Sequence, residues 1–362
     1  MRVLSLFDGI SCGQLALQRA NVPVEVYYAS EIDKYAIQIT QKNFPNTIQL
    51  GDVNKIDFTK FIGKIDMVIG GSPCQDLSIA KQDRKGLKGE RSGLFYKFVE
   101  AIRIIKPKYF LLENVASMSK GDKEIITKEF KAYPVMINSA LVSAQQRKRM
   151  YWCNWHVNQP KDKGIVLKNI LESGQTPDEK SRAIISSIGR TTEREYFRKN
   201  QGQMAFESIM CVPEGTKKGY AEIKQNECVD LTQLSSQTRR GRSMVDKSNC
   251  LTCQSQFYQY IGQIRKRQQS EKVYSVKNKS ISGVGVTNLT TIDLPDGEYL
   301  IRKLSPIECE RLQTLPDNYT EGISDTQRYK TIGNGWTVDV IAHIFRNIGQ
   351  EKEKYIEQLD LF

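Results

Sequence analysis

Four short, nearly continuous apolar runs punctuate the first third of the chain, at residues 2–7 (RVLSLF), 24–30 (VEVYYAS), 65–70 (IDMVIG) and 109–113 (YFLLE). Runs of this length without strict alternation read as strands buried on both faces, the mark of a parallel sheet. Between them, residues 13–20, 33–43 and 94–105 carry helical spacing of apolar positions. Alternation of strand and helix predicts a doubly wound α/β sheet, which two further β-like runs, 134–139 and 150–155, would complete. After about residue 160 the pattern changes. Residues 160–300 are rich in Gln, Ser, Lys and Arg, with Gly-containing turns and no sustained alternation. They read as an inserted, partly β domain whose small core would draw on 204–212 and 255–264. The alternating regime then returns. Ser305 stands at a cap position for a helix over 305–314, and 337–348 forms a closing amphipathic helix. The expected division is one Rossmann-like α/β domain from 1–160 and 300–350, and a smaller domain from 161–299.

Composition narrows the function. In 362 residues, 39% are hydrophobic and 26% charged, an ordinary soluble balance. No apolar run approaches membrane-spanning length, and the opening MRVLSLFDGIS reads directly as a strand without a secretory h-region, so a cytoplasmic location is expected. Eight scattered cysteines do not form the dense framework of a small secreted protein. Two histidines, His156 and His343, offer little material for histidine triads or metal sites. The net charge of +12 favours a polyanionic partner, though charge alone is weak testimony.

Candidate chemistry gathers where the strands should end. Phe7-Asp8-Gly9-Ile10-Ser11-Cys12-Gly13 lies where the first strand turns into a helix, and glycines with free amides there suit an anionic ligand. Glu31 follows the second strand, where it could bind ribose hydroxyls. Asp52 follows the third, where it could accept from an adenine amino group. Each alone also fits a solvated loop acid; together they point to a nucleoside cofactor. Gly70-Gly71-Ser72-Pro73-Cys74-Gln75-Asp76-Leu77-Ser78 places a cysteine on a loop at the same rim. A lone cysteine is more often inert, but Pro73 stiffens this loop and the glycines clear space for a large substrate. Glu113 tips a strongly apolar strand, where desolvation favours a group that donates a proton or hydrogen bond. In Gln146-Arg147-Lys148-Arg149, alternation puts Arg147 and Arg149 on one side, where they could stabilise a thiolate or clamp a pyrimidine carbonyl.

As an ordered set, FDGISCG, Glu31, Asp52, GGSPCQDLS, ENV, QRKR, RKLSPIECERLQTLP and GNGWTVDVI resemble the motif blocks of the cytosine-5 DNA methyltransferases over 1–155 and about 300–345. Within that family the core blocks are similar to the catalytic domain of animal de novo enzymes. The middle region has the length and position of a bacterial or phage target-recognition domain. The resemblance implies an S-adenosylmethionine-dependent methyltransferase of duplex DNA in a bacterial or phage-infected cell. Cys74 would add to carbon 6 of a flipped-out cytosine, Glu113 would bond ring nitrogen 3, and Arg147 and Arg149 would orient the pyrimidine and the loop. Phe7 would stack on adenine, Asp8 to Gly13 would line the methionine end, Glu31 and Ile32 would hold ribose and adenine face, and Asp52 and Val53 the adenine edge. Asn334, Gly335 and Trp336 would close the cofactor pocket. Two positions depart from the usual pattern, Cys12 in the first block and Gly-Asn-Gly in the last.

Gln75 and Ser78, with Arg239, Arg240, Arg242, Arg265, Lys266 and Arg267, are candidates for DNA contact, most of them to phosphates. Cys250-x-x-Cys253 invites a zinc reading, but Cys211 and Cys228 are not spaced as a second pair, so no metal is expected. Three rivals stand beside the main reading: a transfer RNA methyltransferase of the same fold, a catalytically silent regulator, and a dehydrogenase, whose Gly-x-Gly-x-x-Gly turn is not evident. The recognition sequence, membership of a restriction-modification system with a cognate endonuclease, and the oligomeric state are left open.

Overall fold

A computed structural model describes residues 1–72, 94–199, 202–208 and 298–349, together with seven short strands between 211 and 281. Cys74, Gln75 and Ser78, the arginines and lysine proposed for DNA contact, and the Cys250–Cys253 pair lie outside the described residues.

In chain order the elements are β1 (Arg2–Leu6), α1 (Cys12–Arg19), β2 (Val26–Ser30), α2 (Lys34–Asn43), β3 (Ile48–Gln49), β4 (Met67–Gly71), α3 (Phe95–Ile105), β5 (Tyr109–Val115) and α4 (Lys120–Phe130). There follow β6 (Val135–Asn138), β7 (Gln145–Gln146), β8 (Lys148–Cys153), β9 (Ser181–Arg182), α5 (Glu193–Lys199), α6 (Pro306–Leu312), α7 (Asp325–Asn334) and α8 (Val338–Arg346). Two compact units emerge, one of residues 1–166, 180–190 and 305–362, the other of 167–179 and 191–304. Segment 180–190 belongs to the first unit, although its polar texture resembles the middle region.

The first unit is built on a seven-stranded sheet in the order β3-β2-β1-β4-β5-β8-β6. Strands β1 to β5 pair in parallel, while β8 runs antiparallel to both β5 and β6. The sheet is mixed because β8 returns directly beside β5. The strand order reverses between β1 and β4, and that switch point is where doubly wound sheets open a crevice for ligands. Register aligns the strand ends there: Leu6 lies opposite Ser30 and Gly70, and Gly71 opposite Glu113.

The core on one side of this sheet joins Leu4, Val68, Leu112 and Trp152 to Phe95, Phe98 and Val99 of α3. Phe130, at the end of α4, meets Phe95 and Phe98 edge to face at 5.9 and 5.8 Å. Burying each such side chain contributes about 1.5–3 kcal/mol. On α8, Val338, Ile341, Ala342 and Phe345 are buried, and the helix packs against α1. Local signals set the ends. Asp33 caps α2 by accepting from Tyr35 N, and Ser305 and Glu308 form a reciprocal capping box on α6 with Pro306 in its first turn.

The second unit is partly β by itself. Strands Met204–Ser208, Glu298–Lys303, Lys272–Ser275 and Ser280–Ile281 make a four-stranded antiparallel sheet. Ser243–Met244, Cys228–Asp230 and Phe257–Gln259 make a three-stranded one. Tyr196, Phe197, Met204 and Phe206 are buried in this unit.

Candidate active site

At the end of β1 the chain leaves extended geometry abruptly. Phe7, Gly9 and Ser11 take φ of 58, 62 and 56°, in the left-handed region. Two of the three are not glycine, and each such residue costs about 1–3 kcal/mol and persists only where its surroundings over-determine it. They do here. Asp8 N donates to Ser30 O, Ser11 N to Asp8 O, and Gly9 N to Glu31 Oε2 at 2.8 Å. The other Glu31 oxygen accepts from Ile32 N and Asp33 N, both at 2.8 Å. A carboxylate offers about four lone-pair sites; with three amides bound, one remains for an external donor. Beside it, Ile32 is 76% exposed, an apolar side chain left open at the rim.

Several cofactor candidates turn inward instead. The Asp8 carboxylate accepts from the Ser11 hydroxyl and from Tyr27 Oη at 2.7 Å. Burial pushes it up to about 6, against the pull of the Ser11, Ser5 and Tyr27 hydroxyls, and the Glu31 charge adds to the rise. The Asp8 side chain thus braces the turn. Ile10 and Ser11 are fully buried, and Ile10 O accepts from Tyr319 Oη at 2.7 Å. The Cys12 thiol is buried and pushed up to about 12, chiefly by desolvation, which makes it inert. Phe7 is partly buried against the core. Asp52 accepts from Asn54 N and Nδ2 on one oxygen, capping a short turn, and Val53 points its side chain into the core, leaving its main chain as the contact it can offer.

Across the switch point, β4 ends at Gly71 and Ser72 leads toward Cys74. Glu113, beside Gly71 on β5, is buried, and its Oε1 pairs with Arg149 Nε at 2.8 Å. Arg149 comes from β8, opposite Val115 and diagonal to Glu113, the spacing at which long side chains on neighbouring strands meet. The desolvation that the sequence suggests for Glu113 is thus met by a counter-ion. The indole N–H of Trp336 donates to the other oxygen, Oε2, at 3.3 Å. Next to it, Asn114 is fully buried, accepts from Val115 N on its own carbonyl, and donates to Ser72 Oγ at 3.1 Å.

Arg147 and Arg149 do not share a target. Arg147 lies in the break between β7, which pairs with β9, and β8, so strand alternation does not carry through it. Its guanidinium is buried and donates to the carbonyls of Ile184 at 2.7 Å and Gly335 at 3.0 Å, with Gly333 at 3.4 Å. The expected pairing of both arginines on one face is corrected: Arg147 clamps the C-terminal block. Asn334, the last residue of α7, is exposed, Gly335 is buried, and Trp336 lies between Gly13 and Gly71.

A polar network that the motifs did not reveal backs this block. Gln313 Nε2 donates to the carbonyls of Ile332 and Gly335. Thr337 Oγ1 donates to Gln313 Oε1 at 2.8 Å, and Ser139 Oγ to Thr337 Oγ1 at 2.9 Å. The sequence signal was present in LQTLP and GWTV, but nothing in spacing tells a buried Gln from an exposed one.

Among the described residues no helix is long and apolar enough to cross a membrane, and no His, Cys, Asp or Glu group could hold a metal ion. The model of the family described as C-5 cytosine-specific DNA methylase matches residues 1–350. The orphan methyltransferase M.SPRI of Bacillus phage SPR is 26% identical, over 96% of this chain and 97% of its own length. The type II methyltransferase M.HhaI of Haemophilus parahaemolyticus is 25% identical, over 96% and 94%. Among solved structures, the Entamoeba histolytica methyltransferase EhMeth aligns with a TM-score of 0.55 at 14% identity, over 96% of this chain and 97% of that one. Spodoptera frugiperda DNMT2 aligns with 0.53 at 15%, over 95% and 98%; at such identity the two share the fold. With strand-end acids, a Glu113–Arg149 pair and a family match running almost from end to end, the chain belongs to the C-5 cytosine-specific DNA methylase family.

Proposed function

We propose that the chain moves a methyl group from S-adenosylmethionine to carbon 5 of a cytosine in duplex DNA, with Cys74 as nucleophile and residues 161–299 as the target-recognition domain. The observation that carries this reading is the Glu113–Arg149 pair, which stands beside Gly71 where the chain departs toward Cys74.

The strand-end residues fit the cofactor. Glu31 keeps one acceptor site for a ribose hydroxyl, Ile32 offers an exposed apolar face for adenine, and the left-handed turn at Gly9 leaves open space where a side chain would stand. Asp52 and the main chain of Val53 would take the adenine edge, and Phe7 the ring face. When bound, S-adenosylmethionine supplies an electrophilic methyl on a sulfonium.

The protein's own groups do the rest. The Cys74 thiolate adds to carbon 6 of the cytosine, which makes carbon 5 nucleophilic. Glu113, held by Arg149 and Trp336, gives a proton to ring nitrogen 3, which balances the charge the thiolate brings to the ring, and takes it back when the thiolate is expelled. Carbon 5 takes the methyl, its proton leaves, and expulsion of the thiolate restores the aromatic ring. Because a stacked base hides carbon 6, the cytosine must leave the helix. Arg239, Arg240, Arg242, Arg265 and Arg267 would meet phosphates or base edges, with Gln75 and Ser78 near the flipped base. Such work places the protein with DNA in the cytoplasm of a bacterial or phage-infected cell.

Incubation with labelled S-adenosylmethionine and either duplex DNA or transfer RNA tests the reading. Label is expected in DNA, and Cys74→Ser should abolish it while leaving DNA binding. Label in RNA alone would overturn the substrate, and full activity of Cys74→Ser would overturn the nucleophile. A cognate endonuclease is a proposal that digestion of DNA from expressing cells would test.

A further inference from the structure

We infer that Trp336 is a positioning residue for Glu113, its indole N–H holding one carboxylate oxygen while Arg149 holds the other. The inference rests on the reading of Glu113 as the partner of the base. A glutamate carboxylate turns freely about its last torsion, which has no sharp staggered wells. The Arg149 contact at 2.8 Å on Oε1 fixes one oxygen and leaves the plane of the group free. A second donor on Oε2, the Trp336 Nε1 at 3.3 Å, fixes that plane. Only a fixed plane presents the carboxyl proton to a ring nitrogen in the same direction at every turnover.

The surroundings are shaped for this ring. A Cβ on Gly71 would sit 2.8 Å from Trp336 Nε1 and 3.0 Å from Glu113 Oε2, wedged between the two partners. A Cβ on Gly13 would lie 3.3 Å from Trp336 Cζ3. The indole therefore spans from the cofactor loop to the root of the Cys74 segment. Its backbone is pinned on both sides. The Gly335 carbonyl accepts from Arg147 and Gln313, and Thr337 bonds Gln313 and Ser139. One side chain thus touches the helix start below the cofactor and the carboxylate facing the base.

Trp336→Phe keeps a ring over Gly13 and removes the N–H. Loss of a hydrogen bond to a charged group predicts a fall in kcat of about tenfold or more, with KM for S-adenosylmethionine and for DNA within about twofold, the split expected when a contact acts in the transition state. In a Glu113→Asp background, whose shorter carboxylate stands away from Nε1, the same change should cost less than about twofold. Unchanged kcat, a loss confined to KM for S-adenosylmethionine, or equal losses in both backgrounds would overturn the proposal. Fluorescence reads the contact in the folded protein with native Trp336. The other two tryptophans, Trp152 and Trp155, are buried, and Glu113→Gln should shift the partly exposed indole's emission; an unchanged spectrum overturns the contact. If the wild type labels no DNA, the functional reading fails, while the fluorescence arm still decides whether Trp336 holds Glu113.

Discussion

Gly9 donates its amide to Glu31 at 2.8 Å, and this bond ties the turn after β1 to the end of β2. The Glu31 carboxylate therefore holds the loop together, and in the proposed function it also takes a ribose hydroxyl. Glu31→Gln replaces one acceptor oxygen with an NH2 that cannot receive an amide. S-adenosylmethionine affinity, measured by calorimetry, should fall about tenfold or more, because hydrogen bonds to a charged acceptor contribute about 1.5–3 kcal/mol. An unchanged Kd would mean that Glu31 neither binds the ribose nor shapes the turn.

Asp8 predicts a pH dependence of stability. Its folded value, about 6, lies above the ordinary 3.8 because burial disfavours the charge. A raised carboxyl binds its proton more tightly folded than unfolded, so the associated stability is full below 3.8 and is lost as pH rises through about 6. Asp8→Asn imitates the protonated form at every pH. Its melting temperature relative to wild type should therefore climb between those two values and level off above. A difference flat across that window would show that Asp8 does not titrate there.

How much of this was readable in advance varies by residue. Strands β1, β2, β4 and β5 were legible because burial on both faces writes continuous apolar runs. Helix α4 was not, since of Lys120–Phe130 only Ile126 is buried, and α7 likewise buries only Thr331, Ile332 and Gly333. At the site, Glu31 and Glu113 announced themselves by standing at strand ends. Asp8 looked equally outward-facing, but the left-handed Phe7 before it breaks the alternation and aims the carboxylate at Tyr27. Arg147 misled for the same reason: period-two reasoning assumes an unbroken strand, and the break falls on that residue.

Arg147 should prove to be a stability residue. Its replacement by Met strands the Ile184 carbonyl in the interior and takes from the Gly335 carbonyl one of its two donors, the other being Gln313, and an unsatisfied buried group costs about 1–3 kcal/mol. A loss of about 3 kcal/mol would lower the melting temperature by roughly 5–10 °C in a protein of this size. Arg147→Lys, which keeps the charge but not the planar fork, should recover only part of it. Wild-type melting with lost activity in Arg147→Met would instead make this arginine a group acting on the base.

Asn114 carries the last prediction, because it connects β5 to the segment that bears Cys74. Its side chain is fully buried, accepts from Val115 N at 2.8 Å and donates to Ser72 Oγ at 3.1 Å, two residues before the cysteine. Pro73, next in sequence, brings a fixed φ, and the prediction is that loosening Ser72 displaces the nucleophile that follows. Asn114→Ala frees Ser72, and positional loss of a nucleophile by about an ångström costs on the order of a hundredfold. The rate of covalent adduct formation with a duplex carrying 5-fluorocytosine at its methylation site should fall by about that factor, while S-adenosylmethionine affinity holds. Ser72→Ala removes only the acceptor and should reproduce most of the defect. If Ser72→Ala traps the fluorinated duplex at the wild-type rate, the Asn114–Ser72 bond does not set the nucleophile, and its anchor must be sought within the segment that follows Pro73.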